Sequence, residues 1–392
     1  MYALARYGFF KKFVRVYFEA ISLLTGANHR AASPELQAPL MRNIAALIYP
    51  KLPVLKRFAE RVAARPFVAP PLLRNRHAMT ILGSKRSRTF ALSQIPAERR
   101  EFKTEPETTI VAFCHWQPER QQRATVVVVH GLEGTADAHY VMGVADKAWA
   151  TGFNVVRVNI RNCGGTIHLT DTLYHSGLTS DWHAVMRELI ERDGLPALFF
   201  VGFSMGGNQS LKFAGELGAQ APPQLRGVVA ISPPVSLAAC SRAIMRADNF
   251  IYEWRFILSL RRTIREKARL FPGQFEMTPF SRIRHLWDWD EIYQRHNGFD
   301  GAQDYYDRAS SLPFIPQISV PTAIITSQDD PFIPFASFGD QRIAQNPNVL
   351  LVATTHGGHV AFCGERQPDE DRGWAEARAV EFCQTIMATR EA

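Results

Sequence analysis

Apolar positions along this chain keep switching between strand-like runs and helical spacing. Thr125-Val126-Val127-Val128-Val129 is an unbroken β-branched run, the pattern of a strand covered on both faces. A helix is predicted over about Ala138 to Ala150, a strand over Asn154 to Ile160, and a helix near Asp181 to Arg192. The aromatic-rich run Ala197 to Phe203 reads as another buried strand, and a helical pattern leaves it through Asn208, Leu211, Ala214 and Leu217. Gly227 to Ile231, Thr322 to Thr326 and Val349 to Ala353 are further strands, and Glu98 to Phe102 with Thr108 to Trp116 precede them all. Repeated β-α alternation of this kind predicts an α/β fold. The sheet is mostly parallel and of the eight-stranded type, with helices on both faces.

The alternation stops between about Pro233 and Pro313. That stretch is helical in pattern and rich in Arg, Trp and Phe, and it reads as an insertion, about residues 236–313, placed where a lid would sit. Its aromatics, among them Phe250, Trp254, Phe256, Trp287 and Trp289, are expected either to line an acyl pocket or to form a small core of their own. His285 and Asp290 have H-x4-D spacing, which in a lid helix without supporting context is read as coincidence.

Charge divides the chain differently. The 392 residues carry a net +8, yet residues 1–90 hold 16 Lys and Arg against 3 Glu. Residues 1–65 therefore read as a basic helical extension, joined by a linker with Pro66, Pro70 and Pro71 to a domain over 66–392. Within residues 1–24, Lys11, Lys12, Arg15 and Glu19 share one helical face and Phe9, Phe13, Tyr17 and Ile21 spread over the other. Such a helix can lie in the plane of a membrane or dock on its own domain. The charges interrupt any span-length apolar stretch, and no secretory signal pattern is present. No nucleic-acid motif accompanies the charge, so no nucleic-acid partner is expected. The five cysteines are scattered without metal spacing, as reduced thiols of a cytoplasmic protein would be. No metal or cofactor is expected.

Candidate chemistry begins at Gly202-Phe203-Ser204-Met205-Gly206. A G-x-S-x-G pentad between a strand and a helix is the setting of a nucleophile elbow. Its glycines remove Cβ atoms where strand and helix cross, which lets the serine hold a strained backbone. A serine hydroxyl needs an imidazole to take its proton, and the imidazole needs a carboxylate. The strand Thr322 to Thr326 ends in Ser327-Gln328-Asp329-Asp330-Pro331, and Val349 to Ala353 leads into His356-Gly357-Gly358-His359. Asp330 is favoured over its neighbour Asp329 because it starts the D-P-x-x-P turn, and His359 over His356 because two glycines precede it. The predicted triad is Ser204, Asp330 and His359. The turn His130-Gly131-Leu132 after the first buried strand suggests an oxyanion site made by the backbone N–H groups of Leu132 and Met205. The ring of His130 is expected to brace that turn.

These residues resemble the YheT-type branch of the α/β-hydrolase superfamily, related to eukaryotic α/β-hydrolase-domain lipases. The resemblance covers roughly residues 66–388. It rests on Arg74-Asn75-Arg76-His77, His130 to Gly134, Arg161-Asn162-Cys163-Gly164-Gly165, the Ser204 elbow, Asp304-Tyr305-Tyr306, Asp329-Asp330-Pro331-Phe332 and His356 to Val360. Glu291 to Arg295 and the long basic N-terminus depart from the pattern. The resemblance implies an α/β-hydrolase fold and a serine carboxylic ester hydrolase forming an acyl-enzyme on short- to medium-chain or lipid esters. It carries the triad over to Ser204, Asp330 and His359. An acyltransferase or a non-catalytic binding protein on the same scaffold are the alternatives. Peripheral membrane contact is expected through residues 1–24.

Overall fold

The computed structural model describes residues 44–47, 52–83, 87–275, 277–279 and 282–389. The amphipathic reading of residues 1–24 lies outside them. Nine strands form one sheet: β1 (Ile44–Leu47), β2 (Glu98–Glu105), β3 (Thr108–His115), β4 (Thr125–Val129), β5 (Asn154–Val158), β6 (Leu198–Phe203), β7 (Leu225–Ile231), β8 (Thr322–Ser327) and β9 (Val349–Thr354). Their order is β1-β9-β8-β7-β6-β4-β5-β3-β2. β4 to β9 are mutually parallel, while β2, β3 and β1 are antiparallel additions at the two sides.

The β-branched runs explain the centre. Side chains alternate across β4: Val127 and Val129 enter one apolar cluster, Val126 and Val128 the other. Helices α3 (Ser180–Glu191) and α4 (Met205–Leu217) cover the first face, with Val185, Leu189, Leu211 and Phe213 buried there. Helices α1 (Pro53–Ala64), α2 (His139–Ala150) and α9 (Trp374–Ala388) cover the second. Each such side chain contributes roughly 2 kcal/mol by leaving water.

Residues 44–64 differ from the sequence expectation of a separate helical extension. Ile44–Leu47 pairs with β9, and the apolar stripe Leu55, Phe58, Ala59 and Val62 of α1 is buried in the second cluster. Phe58 meets Phe382 of α9 edge-on at 5.2 Å. Between β7 and β8 the chain forms helices α5 (Leu237–Ile244), α6 (Phe250–Leu270), α7 (Leu286–Tyr293) and α8 (Ala302–Ala309). Among the described residues no helix is long and apolar enough to cross a membrane.

Candidate active site

Four parallel strands bring the candidate residues to one sheet edge: β4 ends just before His130, β6 just before Ser204, β8 three residues before Asp330, and β9 five residues before His359. Ser204 stands at the strand–helix corner with φ 49° and ψ −119°, a region that L residues rarely hold without support. The support is local: its N–H donates to the Ile231 carbonyl at 2.8 Å, and its carbonyl accepts from the Asn208 N–H at 3.0 Å. The flanking glycines are required by space. A Cβ on Gly202 would lie 2.2 Å from the Gly206 carbonyl oxygen, and one on Gly206 would lie 2.4 Å from that of His130.

The three side chains form one chain of hydrogen bonds. His359 Nε2 is 2.9 Å from Ser204 Oγ, and His359 Nδ1 is 2.8 Å from Asp330 Oδ2. With Nδ1–H donating to the carboxylate, Nε2 is left to accept the serine hydroxyl. The second oxygen of Asp330 accepts the N–H groups of Phe332 and Ile333 at 2.8 and 3.1 Å, so the prolyl turn fixes the carboxylate. The adjacent Asp329 serves a different partner: it accepts the Gly358 N–H at 2.9 Å and lies 3.1 Å from His356 Nδ1. The two Asp–His pairs thus sit side by side, and only one reaches the serine.

The His359 loop is also held by a residue the sequence reading did not single out. Thr80 Oγ1 accepts the His359 N–H at 2.9 Å and donates to the Arg76 carbonyl at 2.7 Å. Only its place three residues after the Arg74-Asn75-Arg76-His77 run hinted at this, since 279 residues separate the partners. Phe332 packs on the His359 ring at 4.6 Å between centroids, and Tyr252 packs on Phe332 at 4.7 Å.

Leu132 follows the turn after β4 and lines the pocket beside Ser204. Met205 opens α4, where the first amides of a helix lack intrahelical acceptors. The turn is braced as its sequence suggested. His130 is fully buried; its Nε2 accepts the Ile160 N–H at 3.0 Å, and its Nδ1 lies 2.7 Å from the Gly131 carbonyl oxygen. Burial lowers its pKa to about 4, so the ring is neutral. The next residue but two, Glu133, accepts hydroxyls from Tyr174 and from Ser259 of α6. It ties this turn to the insertion.

The pocket over Ser204 has a cavity volume of about 110 Å³. Its walls come largely from the insertion: Phe256, Leu260, Trp289 and Tyr306 line it with Phe332 and His359. The aromatics do not behave alike, however. Phe250 and Trp254 are 55% and 54% exposed, because they fall on the opposite side of α6 from Phe256 and Leu260. Asp290 lies in the wall and the Tyr306 hydroxyl donates to it at 2.6 Å. Burial pushes its pKa up to about 7, against the pull of Tyr306 and Gln294. His285 instead caps α7 and lies 3.3 Å from Glu253, so the H-x4-D pair has separate partners. No group of His, Cys, Asp and Glu suited to a metal occurs among the described residues.

Known proteins are similar to this chain. A family model described as alpha/beta hydrolase fold matches residues 124–365. The chain is 29% identical to the putative esterase YheT of Escherichia coli over 288 residues, 71% of this chain and 82% of the relative. It is 26% identical to human phospholipase ABHD3 over 242 residues, 61% of this chain and 59% of that one. The structure of the Pyrococcus furiosus esterase Pf2001 superposes with a TM-score of 0.51 at 18% identity, covering 76% of this chain and 97% of that chain. The parallel strands, the corner at Ser204 and the matched span agree: the chain belongs to the alpha/beta hydrolase fold family, in the branch of YheT and the α/β-hydrolase-domain proteins.

Proposed function

We propose that this protein is a serine carboxylic ester hydrolase whose nucleophile is Ser204, with short- to medium-chain or lipid esters as substrates. The observation that carries the reading is the continuous Ser204–His359–Asp330 hydrogen-bond chain at the floor of an apolar pocket. Ser204 Oγ attacks the ester carbonyl carbon while its proton passes to His359 Nε2. Asp330 holds the Nδ1–H and stabilises the imidazolium. The carbonyl oxygen takes the negative charge and receives the amides of Leu132 and Met205, aided by the N-terminus of α4. Collapse breaks the C–O bond to the alcohol, and the departing alkoxide takes the proton from His359. Water, deprotonated by the same ring, then attacks the acyl-enzyme and frees Ser204 and the acid.

The insertion acts as a lid whose inner aromatics hold the acyl chain, and β1 and α1 join residues 66–392 in the catalytic domain. A phospholipase among the relatives supports a lipid ester, as does the apolar wall. The Ser204→Ala variant should lose p-nitrophenyl butyrate turnover on the order of 10⁶-fold. It should also lose labelling by a fluorophosphonate. Retained turnover in that variant would refute the assignment, and a panel of acyl lengths would define the substrate.

A further inference from the structure

Buried acidic groups in this protein follow one rule, with one exception. Among the described residues six acidic side chains are buried. Asp181 pairs with Arg161, Asp193 with Arg100, Glu253 with His285, Asp330 with His359, and Glu376 with both Arg88 and Lys147. Asp290 has no basic partner among the described residues. Of the six, only Asp290 lines the pocket over Ser204.

Its neighbours are a small polar cluster in an otherwise apolar wall. Oδ2 accepts the Tyr306 hydroxyl at 2.6 Å, while Oδ1 is reached only by Gln294 Nε2 at 3.4 Å. The Tyr306 oxygen also lies 3.0 Å from Ser241 Oγ. Tyr306 of α8, Ser241 of α5 and Gln294, next after α7, all line the same pocket, and Leu286 and Trp289 beside them are apolar. A carboxylate has room for about four donors, so Asp290 can take more than the protein gives it. The cluster is near the triad: burial, then the charges of Asp330 and Asp290, raise the pKa of the Cys240 thiol, another pocket residue. Both carboxylates thus act on one wall side chain. A few polar groups set in an apolar pocket are what orient a ligand.

We propose that Asp290, with Tyr306, Ser241 and Gln294, is a recognition site for a hydroxyl group on the acyl chain, so that the preferred substrates are esters of hydroxylated fatty acids. The inference rests on the ester-hydrolase reading and on the insertion as the wall that holds the acyl chain. The hydroxyl donates its proton to Asp290 Oδ1 and accepts from the Gln294 amide or the Ser241 hydroxyl. A hydroxyl fits because the cluster offers acceptors and donors together. An ammonium group could only donate, and it would have to shed its water for an apolar wall. A plain alkyl chain leaves the Asp290 carboxyl short of partners, and a site built for a hydroxyl discriminates against the analogue lacking it.

The test offers the full chain methyl esters of hexanoic, octanoic and decanoic acid, each beside its 3-hydroxy and terminal-hydroxy counterparts, and titrates the acid released. At least one hydroxylated ester should exceed its plain parent about tenfold in kcat/KM, the size of one hydrogen bond to a charged group. Its methyl ether, which cannot donate, should return to the plain ester's rate. In Asp290→Leu the ratio of hydroxylated to plain ester should fall to about one. A merely structural Asp290 would depress both esters alike and keep the ratio, which overturns the proposal. So does a wild type without hydroxyl preference, a methyl ether turned over as fast as the alcohol, or a terminal-amino ester preferred to the hydroxylated one. The ether comparison needs only the wild type and holds even if Asp290→Leu does not fold. Calorimetry follows binding of the same esters to Ser204→Ala. If the wild type hydrolyses none of them while Ser204→Ala binds the hydroxylated ester about tenfold tighter, the ester-hydrolase reading falls and the hydroxyl site stands. With neither turnover nor selective binding, both fall.

Discussion

The sheet edge and the helical insertion face each other across one pocket, but they are held in place differently. On the sheet edge Ser204 and Asp330 follow strands buried on both faces, and main-chain groups fix them: the Phe332 and Ile333 N–H groups donate to Asp330, and the Ile231 carbonyl accepts the Ser204 N–H. The insertion relies on polar ties made by buried or half-buried side chains, such as Tyr306 with Asp290, Glu133 with Ser259, and Lys267 with the main-chain carbonyls of Ile167 and Thr170. Main-chain fixation gives a geometry that few substitutions can loosen. Side-chain ties depend on single groups and on their protonation, so the insertion is the part that conditions can alter.

The sharpest way to separate the two regions starts at the sheet. An Asp330→Asn variant keeps its shape but mis-sets the imidazole tautomer, and kcat for p-nitrophenyl butyrate should fall about 10⁴-fold. Asp329→Asn should cost far less, because its partner His356 does not touch Ser204. An equal loss in both would erase the distinction between the two pairs.

Asp290 gives the next largest effect. Its folded pKa is raised from 3.8 to about 7 by burial. The folded chain therefore keeps a proton that the unfolded chain loses between those values, and stability falls as pH rises from about 4 to about 7. A shift of that size corresponds to roughly 4 kcal/mol. Urea unfolding across that range should show the decline in the wild type and a flatter profile in Asp290→Asn. A decline of the same size in both would place the titration elsewhere.

Gly202→Ala is a smaller and purely steric break. The new Cβ meets backbone at 2.2 Å, and an overpacked site of this kind costs about 3 kcal/mol. A drop in the urea midpoint with loss of turnover is expected, since the elbow cannot shift without moving Ser204. The smallest change is Asn75→Ala. The Asn75 side chain accepts the His77 and Ala78 N–H groups at 3.0 and 3.1 Å, and its loss should cost about 1 kcal/mol. Turnover should change little, because Thr80 still holds the His359 loop.

The same contrast governs what could be read in advance. Val126 to Val129, the elbow glycines and the order of Ser204, Asp330 and His359 are local patterns, and a strand covered on both faces leaves few other arrangements for them. No local pattern pointed to Thr80, whose partner His359 lies 279 residues away. β1 was hidden because Ile44 and Leu47 also fit a helix, and its pairing with β9 is a contact across some three hundred residues. Asp290 looked like half of a spurious motif. Its buried setting comes from α7 packing beside Tyr306 of α8, and helix packing within an insertion leaves no short-range signature. Phe250 and Trp254 were grouped with the pocket aromatics by composition, whereas the turn of α6 sends them outward.

The backbone corner at Ser204 has a consequence for the history of such a chain. A non-glycine residue at φ 49° carries strain on the order of 1–3 kcal/mol, and glycine at that position would shed much of it. Discarding the hydroxyl is therefore rewarded in durability. A lineage released from selection for turnover would drift downhill towards a sturdier, inert descendant.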